Sequence, residues 1–145
     1  TSFREMHPQF SPDGRFVAYT SGESGRNEIY VTSFPSGQGR WQASVNGGTW
    51  PRWSPLGDEL FFITDNKLMA LRVRTASSFE PADTPQMLFE GDRINATLTS
   101  RMGRAYDVST DGRMFVVAQS EQGTEAQATT ITVVQNWIRE FDREK

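Results

Sequence analysis

Three segments of the chain align without a gap, and this repetition limits the fold more than any other feature. Pro8–Ser21 reads PQFSPDGRFVAYTS, Pro51–Thr64 reads PRWSPLGDELFFIT and Tyr106–Gln119 reads YDVSTDGRMFVVAQ. Ser11, Ser54 and Ser109 mark the register, 43 and 55 residues apart. A period of about 40–45 residues is that of a four-stranded propeller blade. The 12 extra residues of the second interval fall around Asp92–Arg104.

Each copy has a physical reading. Ser11-Pro12-Asp13-Gly14 is a turn: proline presets φ at its second position, aspartate suits the third and glycine tolerates the fourth. Gly57 and Gly112 hold the same place in the other copies, while Leu56 and Thr110 depart from the pattern. After each turn comes a run that is apolar on both alternating faces: Phe16–Tyr19, Leu60–Ile63 and Phe115–Ala118. Such a strand needs cover on both sides, as between neighbouring blades. Third strands are predicted at Glu28–Phe34, Lys67–Val73 and Thr129–Gln135, and fourth strands at Arg40–Ser44 and Gln86–Glu90. The third copy shows no clear fourth strand. Instead Trp137, Ile138 and Phe141 share one face of a predicted helix, a face that normally covers its own domain.

The expected fold is all-β: a partial β-propeller of about three four-stranded blades with a short C-terminal helix. The blades fall at about 7–45, 49–91 and 105–136, with the helix at about 136–144. Thr1–Met6 is expected to add an outer or closing strand to a neighbouring blade. A chain of 145 residues is one domain by length and long enough for a real core. With no cysteine and one histidine, disulfides, thiolate metal sites and histidine pairs are excluded. A net charge of −3 argues against nucleic acid as a partner. The apolar runs are far too short to span a membrane, and no direct membrane insertion is expected.

The pattern x-Pro-x-aromatic-Ser-Pro-Asp-Gly-x-x-aliphatic-Ala-Tyr around Ser11 resembles the repeat of TolB-like β-propellers, a WD-repeat-like group. The stretches AYTSGESGRNEIYVTSFP, GRWQASVNGG, GDELFFITDNKLMALRV, AYDVSTDGRMFVV and ITVVQNW are similar to the C-terminal part of propellers attached to bacterial serine/threonine protein kinases. That resemblance implies a preceding kinase domain and membrane-spanning segment in a longer chain, and a periplasmic or extracytoplasmic location. The chain starts at Thr1 and reads as a processed chain or a piece of a longer one. It contains no Gly-rich loop with its lysine, no His-Arg-Asp and no Asp-Phe-Gly, so it is not itself a kinase. The same repeat resembles the gating domains of prolyl-oligopeptidase-like serine peptidases and certain sugar lyases that hold a metal with several histidines. The first would need a hydrolase domain outside this chain, and the second more histidines than His7.

Propellers close at four to eight blades. Three cannot make a ring, so an isolated arc exposes the flanks of its first and last blades. Ring closure to six is expected, either by a second copy or by the remainder of a longer chain, and two copies of the isolated chain are expected to pair.

No catalytic residue and no cofactor or metal site is expected. Asp13, Asp107 and Asp111 do not form the dense acidic loop that calcium needs, and two of them sit at turn positions. The expected activity is that of a binding module for a protein or peptide. Trp50 and Arg52, in the loop and strand entering the second blade, are the first candidates, because Trp and Arg are enriched at binding hot spots. Trp50 equally suits packing against the adjoining blade. His7 and Asp107 are outer candidates, and His7 alone reads as a loop or strand-edge histidine. Arg26-Asn27-Glu28 reads as a solvated hairpin loop, and Gly47-Gly48 as a turn.

Overall fold

The computed structural model describes residues 3–90, 106–120 and 129–135. The predicted helix at 136–144 and the insertion around Asp92–Arg104 lie outside the described residues.

The serines that mark the repeat close its turns. Ser11 N–H donates to the Phe16 carbonyl (2.9 Å) and Gly14 N–H to the Ser11 carbonyl (2.9 Å). The Ser11 hydroxyl donates to Asp13 Oδ1 (2.6 Å) and accepts from Phe16 N–H (3.0 Å). Ser109 repeats this with Asp111 and Met114. Leu56 offers Ser54 no carboxylate, and the Ser54 hydroxyl instead accepts from Leu56 N–H (3.2 Å). The glycines at the turn ends have φ of 72°, 77° and 72°, which explains their recurrence.

Each turn joins the first two strands of an antiparallel sheet. The first holds β1 (Glu5–Phe10), β2 (Phe16–Ser21), β3 (Glu28–Ser33) and β4 (Arg40–Gln42) in that order. The second holds β5 (Thr49–Trp53), β6 (Glu59–Thr64), β7 (Lys67–Arg74), the short β8 (Glu80–Pro81) and β9 (Gln86–Glu90); β8 and β9 both pair with β7. The third holds β10 (Tyr106–Val108), β11 (Met114–Ser120) and β12 (Thr129–Gln135). This all-β architecture is that of a partial propeller. The N-terminus departs from expectation: Glu5 and Met6 begin the first strand of blade 1 rather than a strand added to a neighbouring blade.

The double-faced runs account for the stacking of blades. In β6, Leu60 and Phe62 enter a cluster with Phe16, Ala18, Ile29 and Val31 of blade 1. Phe61 and Ile63, pointing the other way, enter a second cluster with Tyr106, Phe115 and Val117 of blade 3. Fully burying one such side chain contributes about 1.5–3 kcal/mol. Phe79, in the loop after β7, is fully buried against the rings of Phe16, Trp41 and Trp53 and plugs the cleft between blades 1 and 2. Arg15 holds that loop by donating to the carbonyls of Ala76 (2.9 Å) and Thr75.

The outer flanks are dressed differently. Tyr19 and Tyr30 sit at the repeat positions of Phe62 and Met69, but no described blade covers them. Arg40 lies over the Tyr30 ring, 4.0 Å from its centroid, donates to Tyr19 Oη (3.1 Å) and pairs with Glu23. Beside them Phe10 and Phe34 meet edge to face while 58% and 49% exposed. On the opposite flank Val116 is 37% exposed.

Candidate functional site

The first strands of the three blades bring the four predicted site residues together as two pairs, His7 with Trp50 and Arg52 with Asp107. His7 lies in β1 and Trp50 in β5, 43 residues apart, at the same position of the repeat. Each precedes a proline, each sits where the pairing of its strand shifts register, and each has a left-handed backbone, with φ of 55° and 57°. Non-glycine residues held there cost energy and persist only when their surroundings fix them. Here the two rings stack, with centroids 3.7 Å apart and planes at 23°. The Trp50 carbonyl also accepts from the hydroxyl of Tyr106 in blade 3 (2.9 Å). Trp50 thus touches both neighbouring blades, and His7, in the edge strand of its sheet, is half-buried in the join between blades 1 and 2.

Two residues further along, a second equivalent set forms a polar ladder. Arg52 Nη1 donates to Gln9 Oε1 (2.7 Å), and Arg52 Nε lies 4.0 Å from Asp107 Oδ1. Gln9, Arg52 and Asp107 occupy the same repeat position in blades 1, 2 and 3. Trp53 Nε1 donates to the Gln9 carbonyl (3.2 Å) and ties the same strands. The Arg52 side chain is 14% exposed and that of Asp107 is 54% exposed, so the ladder runs from a covered guanidinium out to a largely exposed carboxylate.

The electrostatics follow from burial and neighbours. Burial lowers the pKa of His7, and the charge of Arg4 lowers it further, so the stacked imidazole is neutral near pH 7. Burial pushes the Tyr106 phenol well up, and it stays a hydrogen-bond donor. The arrangement offers a flat aromatic pair, one guanidinium and one carboxylate along adjacent strands. Among the described residues no three His, Asp or Glu side chains gather as a metal would require.

Gln9 escaped the sequence reading, although its 43-residue offset from Arg52 was available as a signal. Glu28 departs from it outright. It is not in a solvated loop but fully buried at the start of β3. Its carboxylate accepts from Arg26 Nε (2.7 Å), Gly47 N–H (2.9 Å) and the Ser44 hydroxyl, and so pins the loop leading to Trp50. Gly48 is needed there because a Cβ would come 2.5 Å from Ser44 Oγ.

No family model and no curated protein matches the chain. Solved structures do. TolB from Acinetobacter baumannii is similar over 89% of this chain and 29% of its own, at 18% identity and a TM-score of 0.57. Oligogalacturonate lyase from Vibrio parahaemolyticus is similar over 87% of this chain and 35% of its own, at 14% identity and a TM-score of 0.60. Pyrococcus horikoshii acylaminoacyl peptidase is similar over 92% of this chain and 23% of its own, at 15% identity and a TM-score of 0.59. The likeness establishes a TolB-like propeller fold, and the chain spans about a quarter to a third of the length of these three proteins.

Proposed function

We propose that the chain is a non-catalytic binding module, an arc of a β-propeller that presents the first-strand edge around His7, Trp50, Arg52 and Asp107 to a protein or peptide. The observation that carries this reading is the convergence of these four side chains, from three blades, on one line of aromatic and charged groups. Trp and Arg are the residues most often found where binding energy concentrates. Ring closure is part of the same proposal: the flanks at Tyr19 and Val116 take further blades, from a second copy or from a longer chain. The resemblance to kinase-attached propellers supports a sensor or scaffold role outside the cytoplasm.

A second reading is supported by the fold neighbours. Acylaminoacyl peptidase and oligogalacturonate lyase are enzymes whose structures contain a similar arc. On this reading the chain is the accessory propeller of an enzyme whose catalytic part lies elsewhere.

Selection of a random peptide library on the immobilised chain tests the first reading. Enriched peptides are expected to bind about tenfold more weakly to Arg52→Gln and to His7→Ala, the loss that about 1.4 kcal/mol at a hot spot gives. Peptides that bind both variants as well as the native chain, or a library that yields none, would contradict it.

A further inference from the structure

The joins between blades repeat one geometry, and the next join follows from them. The first-strand position held by Gln9, Arg52 and Asp107 links blade 1 to blade 2 and blade 2 to blade 3. Both ends of this ladder keep hydrogen-bonding capacity. At one end, Gln9 Oε1 accepts from Arg52 Nη1 (2.7 Å), and because a guanidinium only donates, this fixes which way the amide points. Gln9 Nε2 is a donor with no hydrogen-bond partner among the described residues. At the other end, Asp107 Oδ1 accepts from Val108 N–H (3.0 Å) and lies 4.0 Å from Arg52 Nε. A carboxylate offers about four lone-pair sites, and this one is largely exposed.

The sheet faces carry the two halves of one further join. Phe10 and Phe34, both exposed, occupy the repeat positions of Trp53 and Val73, which blade 2 buries against blade 1. Met114 and the exposed Val116 of blade 3 occupy the positions of Phe16 and Ala18, the blade 1 residues that receive blade 2. Blade 1 therefore offers the face by which a blade docks, and blade 3 the face onto which one docks. Three blades are too few to bring these faces together within one chain. Two copies can do so twice, with two-fold symmetry, in which each residue of the contact meets its counterpart's partner. Around such a ring the polar position runs amide, guanidinium, carboxylate, amide, guanidinium, carboxylate, and each neighbour complements the next.

We propose that a second copy completes the ring, with the Gln9 side-chain amide of each copy donating to the Asp107 carboxylate of the other. This rests on the ring closure proposed above and assigns it a partner and a contact. A swap of the two polar groups tests it. Gln9→Glu keeps an acceptor for Arg52 but sets a carboxylate against that of Asp107. Association of the full chain, followed by light scattering over a concentration series, is expected to weaken about tenfold. Asp107→Asn added to Gln9→Glu puts a donor opposite the acceptor again. The double variant is expected to return to within about threefold of the native dissociation constant. A native dimer that Gln9→Glu leaves unchanged, or a loss that Asp107→Asn does not recover, would overturn the proposed contact and leave ring closure standing. A native chain that stays monomeric at every concentration would overturn both. Both substitutions preserve side-chain size, and thermal melts of the variants at low concentration separate a loss of association from a loss of folding.

Discussion

The rings of His7 and Trp50, 43 residues apart and at the same position of two repeats, stack at 3.7 Å. Both are forced into the left-handed region where their strands shift register before a proline. A repeat that places two flat side chains on adjacent first strands turns the join between blades into an aromatic step. The step is tied to blade 3 through Tyr106.

That stack makes stability depend on pH. Burial and Arg4 lower the pKa of His7, so the folded state favours the neutral ring. Its contribution is complete above the unfolded-state value of about 6.5 and is lost as pH falls from there through the folded-state value. His7→Phe keeps an aromatic ring and removes the titration. Melting curves between about pH 7.5 and pH 5 are expected to show the native chain losing stability relative to His7→Phe. Parallel profiles would count against this account of the join.

Phe79 plugs the cleft between blades 1 and 2, touching three aromatic rings. Phe79→Ala is expected to cost about 3–5 kcal/mol, the usual range for emptying such a site. Chemical denaturation measures it. A cost below about 1 kcal/mol would show that the two blades collapse onto each other without the plug.

Leu56 is the one turn residue of the three that denies its serine a carboxylate, and it is exposed. Leu56→Asp is expected to stabilise the chain by about 0.5–1 kcal/mol, by restoring the bond seen at Ser11 and Ser109. The carboxyls of Asp13 and Asp111 are held low chiefly by those serine hydroxyls. Their contribution is full above the ordinary aspartate value of about 3.9 and falls away below it. The gain in Leu56→Asp is expected to shrink as pH falls below that value, read by urea denaturation at pH 7 and pH 3.

The polar ladder predicts an asymmetry. Arg52→Met leaves Gln9 without its donor in a largely covered place and is expected to cost about 1–2 kcal/mol. Asp107→Asn is expected to cost under about 0.5 kcal/mol, since its contact with Arg52 is long and its side chain largely exposed. Equal costs, measured by denaturation of the two variants side by side, would contradict the ladder as described.

Much of this architecture could be read from periodicity. The serine register located the turns, because Ser11 and Ser109 do the same work in each copy. The unbroken run Leu60–Ile63 announced a strand covered on both faces, and the structure sends alternate residues into two clusters. What stayed hidden depended on contacts distant in sequence. Glu28 reads as a loop charge until Ser44 and Gly47 fold over it. Gln9 reads as a surface amide until Arg52 reaches it across the blades. The stacking of His7 on Trp50 likewise joins residues 43 apart, each with a left-handed backbone that the sequence does not announce.

The central claim is that three blades form an open arc whose flanks, at Tyr19 and Val116, are ring interfaces. Six is the only multiple of three within the four to eight blades at which propellers close. Light scattering after size exclusion, across a concentration series, tests this most directly. The account predicts that the isolated chain reaches a mass of about twice 16.4 kDa as two arcs close a six-bladed ring. A monomer of 16.4 kDa that persists at every concentration would contradict it.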